Sequence, residues 1–471
     1  MLPDPALLVH ALALAPAAPA VGALAIALLL LSPRLATERM VARIAQTALW
    51  ASFIGVIAGI TAWAWGSAPS HELAIGSWYS GGGYEFRIDF IVDGLSASVS
   101  LLVSLLLLAT SRFSINYLHR EPGYVRFFLL MLLFAAGMHT LVFAGNLELM
   151  FVGWEIVGMT SVLLVGFFHE RLGPVKAATR VLITYRLCDV GLLIAGVALH
   201  RWLHTSDWLA APHAAASGAL AWSPTFVGLG LVVAAMGKSA QFPVGGWLPR
   251  AMEGPTASSA VFYGGLSVHA GVYLLLRAAP LLEHSLTARI VMIVVGLVTA
   301  VMAAFSSQVS ADAKSAVAWA TASQVGLMFV ECGLGLYTLA TLHLIAHALL
   351  RYYQFLRTPS ALQDALARRA ALGRTEGDEG AVRWEALGLG TRRYLYRMAI
   401  ERFDVEIALD RFVVRPVLAV SRWLDRVEAK VLALHGLPGP SRSLRESGAQ
   451  DSGPRALGGQ DSGPRAQGGS Q

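Results

Sequence analysis

Apolar residues in this chain fall into runs of about 20, separated by short polar segments, and the pattern repeats as far as about residue 357. Runs of that length exceed any buried strand, and their repetition exceeds what one soluble core can use. They predict about eleven transmembrane helices, with approximate limits 9–32, 47–65, 95–117, 126–144, 147–168, 181–200, 226–247, 257–277, 288–306, 315–333 and 336–357. The first run, roughly Ala6–Leu31, has no basic flank before it and more apolar segments after it, so it reads as a first transmembrane helix and not as a cleaved signal. Pro243, Gly245 and Gly246, followed by Gly254-Pro255, predict a helix broken near residues 238–255. The expected fold class is an all-α polytopic membrane protein.

After Thr358 the pattern changes. Residues 383–435 alternate charged and apolar positions at helical spacing, as an amphipathic helix does on a membrane surface or against a partner, or a solvated helix with a small core contact of its own. From about Pro438 the chain is Gly, Ser, Pro and Gln, and residues 450–459 recur almost unchanged as 460–469. Such a segment cannot bury a core. Three regions follow: a membrane domain over 1–357, a cytoplasmic helical segment over 358–437, and a low-complexity tail over 438–471.

Composition supports the membrane assignment. The 471 residues are 55% hydrophobic and 14% charged, with mean hydropathy +0.58, against about 25% charged in soluble domains. Basic residues set the orientation. Arg34, Arg39 and Arg43 lie in the first loop, Arg112, Arg120 and Arg126 around the third, and Arg171, Lys176 and Arg180 in the fifth. The second and fourth loops are poorer in them and hold Glu72, Glu85, Asp89 and Glu148. Basic loops face the cytoplasm, which puts the N-terminus outside and the C-terminus inside. The net charge of +6 thus reports topology, and no nucleic-acid partner is expected. Cys188 and Cys332 sit singly in apolar segments and offer neither a disulfide framework nor a zinc site. No Walker or dinucleotide-type Gly motif occurs, so nucleotide chemistry within the chain is not expected, nor any cofactor of its own.

Charged residues inside the apolar runs carry the functional signal, because each costs roughly 2.5–3.5 kcal/mol on insertion scales. Glu155 lies in Phe151-Val-Gly-Trp-Glu-Ile-Val-Gly158, and Lys238 follows a long apolar run. Arg186 and Asp189 are three apart, which allows them to pair, as an ion-path element or as a neutralised packing pair. Glu331 lies near the end of a span. His343, His347 and Arg351 are spaced i, i+4, i+8 and line one stripe of a helix. His269, alone in an apolar span, reads as a satisfied core histidine. Asp312 and Lys314 read as a helix end at the interface, and Arg357 as a cytoplasmic anchor. Broken helices beside ionisable groups are the usual build of ion sites in transporters. A carboxylate and a lysine facing one water chain would titrate as a coupled pair.

At these residues the chain resembles the proton-pumping antiporter-like subunits of respiratory complex I and the Mrp cation/proton antiporters. The resemblance runs from about Phe90 to Leu356. It rests on Val92-Asp-Gly-Leu95, Gly153-Trp-Glu155, Gly237-Lys-Ser-Ala-Gln241, Trp247-Leu-Pro249, Gly254-Pro-Thr256, and Asp312-Ala-Lys314 with Ser323-Gln-Val-Gly326. It implies that Glu155 and Lys238 are the family's carboxylate and lysine, that Lys314 is a lysine of the central hydrophilic axis, and that His343, His347 and Arg351 form its His-xxx-His-xxx-Lys helix with arginine in the last place. Two departures stand out: Tyr263 occupies a histidine position while His269 appears six residues later, and the later spans of the long subunits do not appear in this sequence. A pump with two complete half-channels is therefore not expected.

Other segments resemble one branch of that family, the membrane subunits of the DAB inorganic-carbon accumulation complexes. They are Trp154-Glu-Ile-Val-Gly158 with Tyr185-Arg-Leu-Cys-Asp189, Pro249-Arg-Ala-Met-Glu-Gly254, Leu266-Ser-Val-His-Ala270, His347-Ala-Leu-Leu-Arg-Tyr-Tyr-Gln-Phe-Leu-Arg357 and Asp410-Arg-Phe-Val-Val-Arg-Pro416. The resemblance implies a bacterial inner-membrane protein paired with a large cytoplasmic subunit whose zinc site resembles that of β-carbonic anhydrases, the pair coupling proton flow to one-way CO2 hydration. It leaves two other readings: a pumping subunit of a redox complex or cation antiporter, and a chain that only anchors a cytoplasmic enzyme.

Overall fold

The computed structural model describes residues 10–31, 36–66, 70–81, 84–216, 223–358, 388–409, 411–412 and 415–434. Helices occupy each predicted segment: α1 Leu14–Leu29, α2 Glu38–Trp65, α3 Gly94–Tyr117, α4 Tyr124–Phe143, α5 Leu147–Val165, α6 Leu172–Ala198, α7 Ser223–Lys238, α8 Thr256–Arg277, α9 Leu286–Val309, α10 Ala313–Leu334 and α11 Tyr337–Arg357. Among the described residues, eight helices are long and apolar enough to cross a membrane, against the expected eleven or so. The shortfall has a physical cause in each case. Helices α1 and α7 are apolar but only 16 residues long, α7 because the chain breaks after Lys238. Helix α11 is made polar by His343, His347, Arg351 and Arg357.

Side-chain caps mark the helix starts. Asp93 and Ser96 cap each other's backbone amides at the start of α3, and Asn146 and Asp312 accept from Leu149 and Ser315 at the starts of α5 and α10. Asp312 thus marks the helix end that its sequence position suggests. Within the bundle, small residues let helices approach closely. A Cβ added at Gly191 of α6 would lie 2.5 Å from the carbonyl oxygen of Gly230 on α7, and one at Gly296 of α9 would lie 2.4 Å from that of Gly326 on α10.

Helix α8 is wholly enclosed by protein and is not a regular α-helix. A π segment over Ser259–Gly265 and a 3-10 turn over Ser267–His269 precede regular helix at Ala270–Arg277. No proline lies inside this stretch, and the sequence reading expected a continuous span here. The stretch Ser239–Val244 before it is the predicted break, with Ala240 at φ 52°. Its freed groups are satisfied inside the protein. Ser239 donates to the Val268 carbonyl at 2.8 Å, Phe242 N–H to Thr299 at 2.9 Å, and the Trp247 indole to the Gly237 carbonyl at 3.0 Å.

The all-α expectation has one exception. Residues His71–Gly81 (β1) and Tyr84–Val92 (β2) form an antiparallel hairpin with two register irregularities. The reading of the sequence treated this stretch as loop, because Gly76, Gly81, Gly82 and Gly83 mask its alternation. Strand β2 is tied to the α4–α5 turn by Gly145 N–H to the Asp89 carbonyl at 2.7 Å and by Asn146 to the Arg87 carbonyl at 2.8 Å. Its end places Asp93.

The chain divides into two compact units, residues 1–404 and 405–471. In the first, a helix over Leu389–Ile400 lies beside α9, with Ser306 Oγ donating to the Ala399 carbonyl at 3.4 Å. In the second, Arg415–Leu434 is helical and exposes Val420, Trp423, Leu424 and Val427 along one stripe. Residues 359–387 of the expected cytoplasmic segment, and all of the low-complexity tail, lie outside the described residues.

The close α9–α10 crossing predicts that Gly296→Val will force these helices apart and lower stability by about 1–3 kcal/mol. A fall in the unfolding temperature of the detergent-solubilised protein would register it; an unchanged temperature would show that the crossing relaxes freely.

Candidate functional site

Helices α5, α6 and α7 bring four of the sequence-predicted residues together. Lys238, the last residue of α7, is 1% exposed. Its ammonium donates to the Trp154 carbonyl at 3.2 Å and lies 4.2 Å from the centre of the Tyr185 ring and 5.0 Å from that of Trp154. Gly158, one turn along α5, makes the room, since a Cβ there would lie 2.5 Å from the lysine nitrogen. Asp189 accepts from the Trp154 indole at 2.6 Å. Trp154 therefore joins the lysine, through its carbonyl, to the aspartate, through its ring.

Glu155 is bound by Arg186, the neighbour across the α5–α6 interface. Arg186 lies 3.9 Å from Asp189, so the predicted Arg186–Asp189 pair is the weaker of the two contacts. Asp189 is instead engaged by the Trp154 indole. Among the described residues no ion pair joins Glu155 to Lys238. The lysine is held by a carbonyl and two ring faces, the Glu155 Oε1 and Asp189 Oδ2 atoms are buried without a hydrogen-bond partner, and the buried Tyr185 hydroxyl is turned toward Ser267. The Arg186 side chain is 46% exposed, on a helix face shared with exposed Ile183, Leu187 and Val190.

A second group forms around the distorted middle of α8. His269 Nε2 meets His347 Nδ1 at 2.9 Å, and Arg351 Nε donates to His347 Nε2 at 3.0 Å. The guanidinium is held further by Gln354 Oε1 at 2.7 Å and by the Ala320 carbonyl of α10 at 3.1 Å. His343, one turn before His347, bonds Glu331 at 2.8 Å. His269 is thus no isolated core histidine, and the sequence reading of it is corrected. The π and 3-10 turns rotate it toward α11, which no helical wheel drawn on a regular α8 shows. Tyr263 donates to the Ser161 carbonyl at 3.0 Å, and Ser267, two residues before His269, lies 3.4 Å from Ser161 and faces the Tyr185 ring system. Helix α8 therefore lies between the lysine group and the histidine group.

Lys314 stands apart from both. It is half-buried and donates to Thr256 Oγ1 at 3.0 Å, at the start of α8. This is not the snorkelling anchor suggested by a position near a helix end; the side chain turns inward to the break. Among the described residues no hydrogen bond or ion pair links Lys314 to the other two groups.

Asp93 and Arg277 make a further buried pair that sequence reading missed. Arg277 binds both carboxylate oxygens, at 2.5 and 3.1 Å, and also the Tyr273 hydroxyl at 2.9 Å. The only signal was Asp93 in Val92-Asp-Gly-Leu95 and an arginine closing an apolar run. Burial works to raise the Asp93 carboxyl, but the Arg277 guanidinium, with bonds from Ser96, outweighs it and holds the group below the usual carboxylate range. A lowered folded value stabilises the protein above the unfolded one, near pH 4, and that contribution fades as pH falls through the folded value. Asp93→Asn is expected to cost about 3–5 kcal/mol at neutral pH. Thermal unfolding between pH 7 and pH 3 should show the gap to wild type closing on the acid side.

Comparison with known proteins follows the same residues. Residues 144–371 match the family model described as NADH:quinone oxidoreductase/Mrp antiporter, TM, and residues 78–128 match NADH-Ubiquinone oxidoreductase (complex I), chain 5 N-terminus. The chain is similar to NADH-ubiquinone oxidoreductase chain 5 of Rhizopus stolonifer, 39% identical over 280 residues that cover 58% of this chain and 42% of the relative. It is 38% identical over 283 residues to the probable inorganic carbon transporter subunit DabB1 of Halothiobacillus neapolitanus, covering 58% of this chain and 50% of that one. Among solved structures, the Mrp complex from Dietzia sp. matches with a TM-score of 0.63 at 27% identity, over 74% of this chain and 37% of the matched one. The chain spans about half the length of the curated relatives it matches.

Proposed function

We propose that the membrane domain of this chain is an antiporter-like domain of the kind found in NADH:quinone oxidoreductases and Mrp antiporters, to which it is similar, and that the protein is a proton-conducting subunit of an energy-coupled inorganic-carbon accumulation complex. The observation that carries the conducting role is Lys238. A lysine 1% exposed at a helix break, held by a carbonyl and two ring faces without a carboxylate in contact, has no structural partner that requires its charge. An ammonium so placed can give up and regain a proton, and the unpartnered oxygens of Glu155 and Asp189 around it are sites that water would bridge.

In this reading Glu155 and Asp189 are the exchangeable carboxylates beside Lys238, Arg186 tunes Glu155, and Lys314, His343 and His347 continue the path, with Arg351 fixing charge. About eleven crossings put the N-terminus outside and the remaining chain in the cytoplasm of a bacterial inner membrane. An ion pair on an otherwise apolar helix face, with Arg186 half exposed, is costly against lipid. It supports coverage of that face by another membrane subunit. The carbon branch is favoured by the likeness to the inorganic carbon transporter subunit and by the segments around Tyr185, Pro249, Leu266 and His347. The partner would be a large cytoplasmic subunit carrying a carbonic-anhydrase-like zinc site, and the CO2 chemistry would lie there. Proton inflow across 100 mV releases about 2.3 kcal/mol per charge, enough to bias a hydration step. The comparable likeness to chain 5 of complex I supports a second reading, a pumping subunit of a quinone-linked complex or of a cation/proton antiporter.

Glu155→Gln and Lys238→Ala are each expected to abolish bicarbonate accumulation in cells while the complex still copurifies. Unchanged accumulation in both variants would remove the assignment. Uncoupler should stop accumulation by the wild type; insensitivity would favour a membrane anchor without ion flow. Purification of the tagged chain in mild detergent should bring down one large zinc-bearing partner, whereas recovered flavin, iron–sulfur centres or several antiporter subunits would favour the second reading.

A further inference from the structure

Three side chains in a row decide where a proton can sit between α8 and α11. Arg351 Nε carries a hydrogen that it cannot release, since the guanidinium remains protonated throughout the accessible range. It points that hydrogen at His347 Nε2, 3.0 Å away. His347 Nε2 must therefore offer its lone pair, and the neutral ring carries its hydrogen on Nδ1. That hydrogen meets His269 Nε2 at 2.9 Å, so His269 in turn is an acceptor at Nε2 and a donor at Nδ1. His269 Nδ1 is buried, with the Gly265 carbonyl as the backbone acceptor on that side of the ring, and it is the far end of the series.

We propose that Arg351 is a positioning residue that latches His347 in its Nδ1–H form, so that no proton passes along α11 through His347 to His269 while the guanidinium is docked. The proposal rests on reading this site as an ion path. The proton balance makes the point. Moving the hydrogen on His347 Nδ1 to His269 Nε2 would leave His347 an imidazolate unless a proton enters at His347 Nε2. That nitrogen faces a donor that has nothing to give, so no proton enters there while the guanidinium is docked. Once the guanidinium moves off, His347 Nε2 can take a proton, Nδ1 can pass its own to His269 Nε2, and His269 can release its Nδ1 hydrogen, each ring ending neutral. Gln354 Oε1 and the Ala320 carbonyl hold it in place on two further N–H groups, so each of its three nitrogens is bonded. The other titratable groups near the pair are His343 and Glu331, which bond each other 2.8 Å apart. A lysine in place of Arg351 would bring one rotatable ammonium that can yield a proton, and the route along α11 would open.

The test reads the tautomer directly. Full-length protein labelled with 15N-histidine and reconstituted in lipid vesicles is examined by solid-state NMR, with His347→Gln assigning the His347 signals by difference. The wild type should show a bare Nε2 and a protonated Nδ1 at His347. Arg351→Met should lose the single form and gain a population protonated at Nε2, and Arg351→Lys, which keeps a donor, should retain the wild-type form. If Arg351→Met does not fold, Gln354→Ala loosens the same guanidinium, and a mixed His347 signal is again expected. An Nε2-protonated His347 in the wild type, or signals identical in wild type and the loosened variants, would overturn the latch whatever transport does. Normal carbon accumulation in Glu155→Gln and Lys238→Ala would instead overturn the ion-path reading and leave the tautomer result standing.

Discussion

A helix that breaks inside a bilayer must find protein partners for every amide and carbonyl it frees, because the hydrocarbon supplies none. The break after Lys238 meets that requirement from three sides. Ser239 reaches α8, Phe242 takes the Thr299 hydroxyl of α9, and Trp247 folds back on the Gly237 carbonyl. The enclosed position of α8 and its close packing with α7 follow from that need, and the lysine at the break is sealed from lipid by the same contacts. Had the break been satisfied by water alone, Lys238 would sit in a wet funnel and keep an ordinary ammonium's freedom.

The buried charges divide by how they are compensated. Asp93 and Arg277 are paired through two hydrogen bonds and tie the start of α3 to the end of α8. Glu155 and Arg186 compensate each other at the edge of the bundle. Lys238 has no such counterpart in contact and relies on aromatic faces and one carbonyl. Structure that only needs stability uses the first arrangement. The last is weaker as a hold on charge and better suited to changing it, which is why the proposed conducting role centres on it.

Polar groups near the middle of the bundle are strung along α8, whose π and 3-10 turns depart from ideal helix between Ser259 and His269. Such turns bring Tyr263, Ser267 and His269 to facing helices that a straight span would address with other residues. Tyr263 meets α5 and His269 meets α11. The resemblance drawn from the sequence implies a histidine at the position of Tyr263. The imidazole is displaced six residues along the chain, yet the distortion still delivers it to the stripe of His347 and Arg351.

Much of the architecture was legible in the residues themselves. Apolar run length predicts where helices lie, since the bilayer demands about 20 residues per crossing. Pro243 with its neighbouring glycines marks the break, because proline lacks the amide that a helix needs. Isolated charges in apolar runs mark Glu155, Lys238 and the His343–His347–Arg351 stripe, because insertion penalises them. Pairing was another matter. That Arg186 chooses Glu155 over Asp189, that Lys238 meets ring faces and not a carboxylate, that Lys314 turns inward to Thr256, and that His269 reaches His347 all depend on helix rotation and on the distortion of α8. The hairpin over His71–Val92 was hidden for a related reason, since its glycines erase the alternation while the α4–α5 turn supplies the missing hydrogen bonds. One-dimensional pattern determined which groups are buried, because burial is set by local apolarity. Tertiary structure alone decided which of them touch, because contact across helices is fixed by packing between segments far apart in the chain.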